Sequence, residues 1–366
     1  VPLLPFVRDE FALDYTKAGL LISAFSLTYG LSQMPTGWLA DRIGARLLLT
    51  ISILGVGITG LVVGFSQSYL MLIIGWVLMG ILGGGYHPAS TTLLSSSVEP
   101  TRRGWALGLH MVGGSVCFFL SPIVAAAIAA NWSWRGPPIA LAIPSIAFGI
   151  AFYIILKRQI PERKAEPKSA TIAAESAITS VRMRRLITVI FLSAFVQSAI
   201  ISVTAFIPLF LVDQFGAGKG LSAASISIIY SCGLWAGPLG GYVSDRWGRI
   251  LITLAVSLAA GPAIFLLNVS PYGAGTVGAL ILIGTLMYIN TTAGQAYVVD
   301  HTPAQNRSTM LGLYFFSTME GSGVLTPVVG YFIDHLGFYA AFTITAGAVL
   351  VVALVGSFLL RGSRRE

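Results

Sequence analysis

Three side chains able to take up or release a proton lie inside long apolar runs: Glu320 in FFSTMEGSG, His87 in GGGYHPAS and His110 in GLHMVGG. Of the 14 acidic residues, Glu320 alone is placed away from loops, helix ends and the tail. It lies about 13 residues, roughly 20 Å, along its run, near the middle of a bilayer-length helix. An ionised carboxylate at that depth is expensive, so Glu320 must face a wet cavity or a partner. Three roles stay open for it: a proton-coupling acid, a counter-charge for a cationic solute, or a structural group bonded to backbone around Gly321, Ser322 and Gly323. His87 and His110 lie about nine and six residues from the ends of their runs on one side, so they share a depth and can meet. Each alone is also compatible with plain helix packing. No HExxH or paired carboxylates accompany them, and Cys117 and Cys232 have no metal-ligand spacing, so neither a metal site nor a cofactor is expected.

The elements that position these groups follow from composition. The 366 residues are 55% hydrophobic and 10% charged, with mean hydropathy +0.82, against roughly 25% charged residues in an ordinary soluble domain. That excludes a water-soluble enzyme, a disordered chain and a nucleic-acid-binding chain. Runs long enough to cross a membrane occupy about 17–38, 47–66, 69–95, 104–130, 136–156, 186–212, 222–242, 250–268, 274–299, 308–332 and 338–360. They are too long and too poorly alternating for β-barrel strands. The expected fold class is an all-α polytopic membrane protein.

An internal repeat accounts for the odd count of eleven. GWLADRIGAR (37–46) recurs as GYVSDRWGR (241–249), so that Gly37, Asp41, Arg42 and Gly44 each have a partner 204 positions later in Gly241, Asp245, Arg246 and Gly248. The same offset relates Arg103 to Arg307, Leu107-Gly108-Leu109 to Leu311-Gly312-Leu313, and Asp9 to Asp213. One register through separate segments indicates two copies of one helical unit. It places Val1 opposite Ala205, inside the first helix of the second copy, so a first span is expected to be mostly missing from a molecule of six helices per half. The expected organisation is an N-terminal half at 1–156, a basic central loop at 157–185, and a C-terminal half with a short basic tail at 186–366. If the Asp41 loop is cytoplasmic, 18 of the 22 Lys and Arg residues fall on that side, and only Arg8, Lys17, Arg135 and Lys219 oppose them. The net charge of +8 is thus a topology signal, putting both termini of the full-length protein in the cytoplasm.

The repeated loop has chemistry of its own. Asp41, beside Gly37 and Gly44 at a helix end, can accept hydrogen bonds from free N–H groups at a neighbouring helix start. Arg42 and Arg46 can pair with carboxylates or lipid phosphates. Made in one state and broken in another, such contacts form a switch; the simpler alternative is that Asp41 caps the next helix and the arginines fix topology. Two six-helix halves, a basic central loop and the G-x-L-A-D-R-x-G-x-R pattern between spans two and three together resemble the major facilitator superfamily. Ala45 departs from the basic or polar residue usual there. The resemblance implies alternating access about a central cavity and a conformational latch at Gly37, Asp41, Arg42, Gly44 and Arg46, repeated at Asp245, Arg246, Gly248 and Arg249, with Arg103 and Arg307 alongside. Pro88, Pro122 and the glycines near them resemble the glycine-proline pattern of facilitator antiporters without its full GPxxGG ending. YHP followed by RRGWALGLHMVGG is similar to fosmidomycin-resistance-type efflux members.

The repeat sets His87 opposite Thr291, beside Asn290, and His110 opposite Tyr314, so polar groups from both copies are expected to converge on a substrate cavity. Tyr29, Gln33, Gln197, Trp235 and Tyr288 complete its expected lining. No Lys or Arg lies in the interior of any visible span, which disfavours a polyanionic solute, and the lack of a P-loop disfavours ATP-driven pumping. The expectation is a secondary active transporter in the cytoplasmic (inner) membrane, coupled to protons at Glu320, with efflux of a small organic solute by antiport first and symport uptake second. A membrane-embedded enzyme using His87, His110 and Glu320, or a sensor, is the reading from another class. Expected partners are a small-molecule substrate, protons and the lipid bilayer, with no nucleic acid and a monomeric chain.

Overall fold

The computed structural model describes residues 1–99, 102–159, 180–302 and 307–361, with side chains at all but a few helical positions in that range. Among the described residues every regular element is a helix. The first half holds α1 (Leu4–Phe11), α2 (Tyr15–Ile43), α3 (Ala45–Gly64), α4 (Tyr69–Gly83), α5 (Tyr86–Ser97), α6 (Arg103–Asn131) and α7 (Gly136–Gln159). The second holds α8 (Ser180–Phe215), α9 (Lys219–Ser231), α10 (Ala236–Trp247), α11 (Arg249–Val269), α12 (Ala274–His301) and α13 (Arg307–Arg361).

Local chemistry sets the boundaries. Asp14 caps α2 by accepting from the Lys17 N–H at 2.6 Å, and Ser68 caps α4 by accepting from that of Met71 at 3.2 Å. The turns between α2 and α3 and between α10 and α11 pass through Gly44 (φ 88°, ψ 138°) and Gly248 (φ 94°, ψ 136°), a conformation that only glycine adopts readily. These repeat-related residues share one backbone shape, so the duplication read from the sequence is also a duplication of geometry.

Among the described residues, eight helical segments are long and apolar enough to cross a membrane, nine when the bent pair α9–α10 counts as one span. The apolar runs of the sequence number eleven. The difference has two physical sources: α13 is a single element broken at Gly337 (φ 80°, ψ 168°), which divides it into arms at 307–336 and 338–361. In addition α2, although 29 residues long, intersperses Ser23, Ser26, Thr28, Tyr29, Ser32 and Gln33 among its apolar residues, which lowers its hydropathy, and it is not among the eight. α7 and α8 reach into both ends of the expected central loop, whose residues 160–179 lie outside the described range. Ile58, Leu70, Val351 and Phe358 are exposed on the outside of the bundle, as lipid-facing residues are.

Packing shows how the halves meet. The largest buried apolar cluster is continuous across them, joining Leu4, Val7, Ala18 and Leu21 to Phe206, Phe210, Val329, Phe338 and Phe342. Toward the rim that carries the repeated loops, burial divides instead into two separate clusters. Ala40, Leu48, Leu49 and Ala89 form one inside the first half. Leu186, Val189, Tyr297, Val298 and Tyr314 form the other inside the second. The halves therefore meet at the rim marked by Asp213 and diverge toward the rim marked by the repeated loops.

Candidate functional site

At the Asp213 rim the halves exchange charged groups in a repeat-related pattern. Lys219 Nζ lies 2.5 Å from Asp9 Oδ2, while the Tyr15 hydroxyl donates to Asp213 at 2.6 Å; Asp9 and Asp213 are repeat partners, as are Tyr15 and Lys219. Arg8 adds a two-pronged pair to Asp213, with Nη2 to Oδ1 at 2.8 Å. Asp334, near the end of the first arm of α13, caps α2 across the interface, accepting from the N–H groups of Tyr15 and Thr16 at 2.8 Å each and from the Thr16 hydroxyl at 2.5 Å. The positive end of the α2 dipole adds to that attachment.

The pH behaviour of this rim follows from its pairs. Burial works to raise the Asp9 pKa, but hydrogen bonds from Lys219 and Arg8 outweigh it and hold the group below its ordinary 3.8. Glu10, paired with Arg135 and Trp134, and Asp14, paired with Lys17, are depressed in the same way against the same opposing effect of burial. A carboxylate whose folded pKa is depressed contributes stability that is present above its ordinary pKa and lost as pH falls through the depressed value. The Asp9–Lys219 bridge across this rim is therefore expected to be unchanged between about pH 8 and pH 5 and to weaken only below 3.8. Spin-label distances across the rim, recorded against pH, check this; loosening near neutrality would contradict it.

Deeper along the α2–α13 seam, small residues bring the helices together. The Ser23 hydroxyl donates to the Gly323 carbonyl at 2.5 Å, and a Cβ at Gly19 would stand 3.0 Å from the Pro327 backbone. Below them lies Glu320, only 5% exposed, and among the described residues neither carboxylate oxygen has a hydrogen-bond partner. Its carboxyl rests on Gly30 of α2, where a Cβ would overlap it outright. Among the described residues no basic side chain faces it, and its nearest neighbour is the Gly30 backbone, so a charge on this acid would be costly.

His87 and His110 share one aromatic cluster, joined through Tyr86, whose ring centroid lies 5.6 Å from that of His87 and 5.9 Å from that of His110. Tyr29 meets His87 edge-on at 6.3 Å and stacks on Phe25 at 5.4 Å. Tyr29 and Tyr86 also wall a cavity of about 330 Å³ with Phe25, Ser52, Val56 and Met79. His87 is exposed, while Gln33 is half-buried one turn beyond Tyr29. The second half places its expected cavity groups differently. Asn290 is fully buried and donates to the Ser193 carbonyl at 3.0 Å and to Gln197 at 3.4 Å. Tyr314 is also fully buried, its hydroxyl 3.3 Å from the Thr291 carbonyl. Both bond within their own half in this conformation. Trp235 is 45% exposed at the break between α9 and α10, and Tyr288 packs against Gly233 there.

In the second copy of the repeated loop, Asp245 pairs with Arg249, which also reaches Asp300 at 3.1 Å and Ser244 at 2.6 Å. Asp245 is thus held by a side-chain pair and not by a helix start. In the first copy Arg42 lies over the Trp38 ring at 3.9 Å and Arg46 donates to the Leu156 carbonyl at 3.4 Å. Arg246 is exposed beside the Tyr242 hydroxyl. Gly37, Asp41, Arg103 and Arg307 lie outside the residues whose side chains are described. The Asp213-rim groups were not singled out as a site from the sequence; the available signal was the Asp9–Asp213 repeat pair beside the few bases on the minority side.

Known proteins share this plan. The chain is 27% identical over its whole length to the multidrug resistance protein MdtG of Proteus mirabilis, covering 92% of it. It is 25% identical to the probable sulfoacetate transporter SauU of Cupriavidus necator, over 97% of this chain and 87% of that one. The hexuronate transporter of Bacillus subtilis is 24% identical, over 95% and 86%. Among solved structures, a bacterial homologue of the human lysosomal transporter Spinster, inward-facing and unoccupied, aligns with TM-score 0.79 at 17% identity, over 99% of this chain and 92% of that one. A POT family transporter in complex with 5-aminolevulinic acid aligns with TM-score 0.82 at 14% identity, over 100% and 92%. These relatives and structural neighbours are transporters. The Major Facilitator Superfamily model matches residues 1–319 and 281–366, and with two helical halves related by a repeat and joined at one rim, the chain belongs to that superfamily as a multi-pass membrane transporter.

Proposed function

We propose that this transporter exports a small organic solute across the cytoplasmic membrane in exchange for protons, as a single chain with the Asp41 rim and the C-terminus in the cytoplasm. The bias of Lys and Arg toward the Asp41 side supports the orientation. The multidrug relative supports export of organic solutes, and the lack of Lys or Arg in the interior of the apolar runs favours that relative over those named for anions.

The observation that carries proton coupling is Glu320. Closing α2 over an ionised, unpartnered carboxylate would incur its full desolvation penalty, so the α2–α13 seam closes over the acid when it bears a proton. A proton taken up while the Asp213 rim is open thus favours the state with that rim closed and the opposite rim open. Solute bound from the cytoplasm along Tyr29, Gln33, Tyr86, His87 and His110 then wets the seam and releases the proton inward. Trp235 and Tyr288 face it from the second half, and Gln197, Asn290 and Tyr314 join as the halves turn. The latch groups Gly37, Asp41, Arg42, Gly44, Arg46 and Arg103, with Asp245, Arg246, Gly248, Arg249 and Arg307, engage when their own rim closes.

Proteoliposomes test the proposal with a fluorescent aromatic solute. An imposed pH gradient is expected to drive accumulation, and counterflow is expected to persist once the gradient collapses. Failure of counterflow across a solute panel would remove the carrier reading. Counterflow without any response to the gradient would remove proton coupling alone.

A further inference from the structure

The two seams between the halves are copies of one another under the 204-residue register, and they are not equally pinned. On the α2–α13 seam the Ser23 hydroxyl donates to the Gly323 carbonyl at 2.5 Å. On the α6–α9 seam its repeat partner, the Ser227 hydroxyl, donates to the Phe119 carbonyl, the repeat partner of Gly323, at 2.7 Å. Beside the seams, the repeat-related contacts Tyr15–Asp213 and Lys219–Asp9 tie the starts of α2 and α9 to the opposite half; within the seams themselves the likeness ends at the serine bond. At the rim, Thr16 meets Asp334 through charge-assisted hydrogen bonds; the equivalent pair, Gly220 and Ala130, has only van der Waals reach, with a Cβ on Gly220 standing 3.9 Å from that of Ala130. At depth, Gly30 receives the Glu320 carboxyl; the equivalent positions are Leu234 and Val116, 49% and 38% exposed. Beyond the shared serine bond, the α6–α9 seam shows a tilted ring contact, Phe118 against Tyr230 at 5.5 Å.

We infer that the solute crosses the Asp213 rim through the α6–α9 seam, and that the α2–α13 seam, pinned by Asp334, is the hinge on which the rim opens. A rotation that parts two seams opens first the one with fewer directional bonds. Solute and proton then use opposite seams, since Glu320 sits on the hinge. The doorway is walled by Phe118, Phe119, Ala130 and Tyr230, with Ser227 as its latch, and this suits a solute with an aromatic or aliphatic body and little charge. Asp334 is a positioning residue here, holding the start of α2 without touching the solute. The inference rests on the transport reading above, though its test does not require proton coupling.

Conservative cysteines read the two seams directly. With Cys117 and Cys232 replaced by Ala and transport verified, Ser23→Cys and Ser227→Cys are compared in right-side-out vesicles for reaction with a membrane-impermeant methanethiosulfonate during turnover. Ser227→Cys is expected to react about tenfold faster, the effect of one charge-assisted hydrogen bond on the population of an open seam. Asp334→Ala is expected to raise the Ser23→Cys rate to that of Ser227→Cys. The pair Ala130→Asp with Gly220→Thr, which copies the pin onto the second seam, is expected to slow Ser227→Cys labelling and solute flux together. Equal rates for the two cysteines, faster labelling of Ser23→Cys, or labelling of neither would overturn the assignment. Faster Ser227→Cys labelling without a proton response would leave the doorway standing and remove only the coupling.

Discussion

Glu320→Gln is expected to abolish accumulation driven by a pH gradient while leaving counterflow within about threefold of the unaltered protein. The reason lies in the Gly30 seat. Glutamine has nearly the shape of the protonated acid, so α2 can close over it whether or not a proton is available, and closure no longer waits for protonation. Burial of an unpartnered carboxylate is worth several kcal/mol even after relaxation, and about 2.7 kcal/mol is already a hundredfold in population. Gradient-driven accumulation should therefore fall by about a hundredfold or more. Exchange needs the halves to rock with solute bound, and glutamine does not hinder that. Accumulation against a gradient with unchanged pH dependence in this variant would show that the coupling acid is elsewhere. The depressed carboxylates of the Asp213 rim do not supply the alternative, because they stay ionised throughout the neutral range.

The sequence exposed what repeats and what is apolar, because both are properties of a chain read along its length. Gly44 and Gly248 could be matched from sequence, and the structure gives them the same dihedral angles. Glu320 stood out because a carboxylate in an apolar run is costly wherever its helix points. What stayed hidden depends on how helices rotate and which neighbour they meet. Asn290 and Tyr314 have the right depth for a central cavity, but packing turns them into their own half toward Ser193 and Thr291. Asp334 read as one more acid at a helix end, and nothing in its own stretch reveals that the start of α2, more than 300 residues earlier, is what it caps. The ordinary run of Ser23 and Ser227 likewise concealed that each bonds a carbonyl of the opposite half.

Gly30→Ala is expected to have the other large effect, and it separates the seat from the acid. A Cβ at position 30 would overlap the Glu320 carboxyl, so either that side chain leaves the seam or α2 and the first arm of α13 stay apart. Overpacking of this kind typically costs about 1–3 kcal/mol, enough to shift the balance of the two rim states by roughly five- to 150-fold. Solute flux is expected to fall about tenfold, and labelling of Ser23→Cys from the Asp213 side to rise, because closure of this rim is the state that needs the seat. Gly113→Ala is the matched control on α6, where an added Cβ meets nothing within 4 Å, and it should leave flux unchanged. Removing the clash from the other side completes the cycle: in a chain that already carries Glu320→Ala, the Gly30→Ala change should have little further effect on rim closure. Equal opening of the rim by Gly30→Ala with and without Glu320 would mean that the glycine serves helix packing alone and that the acid closes against something else.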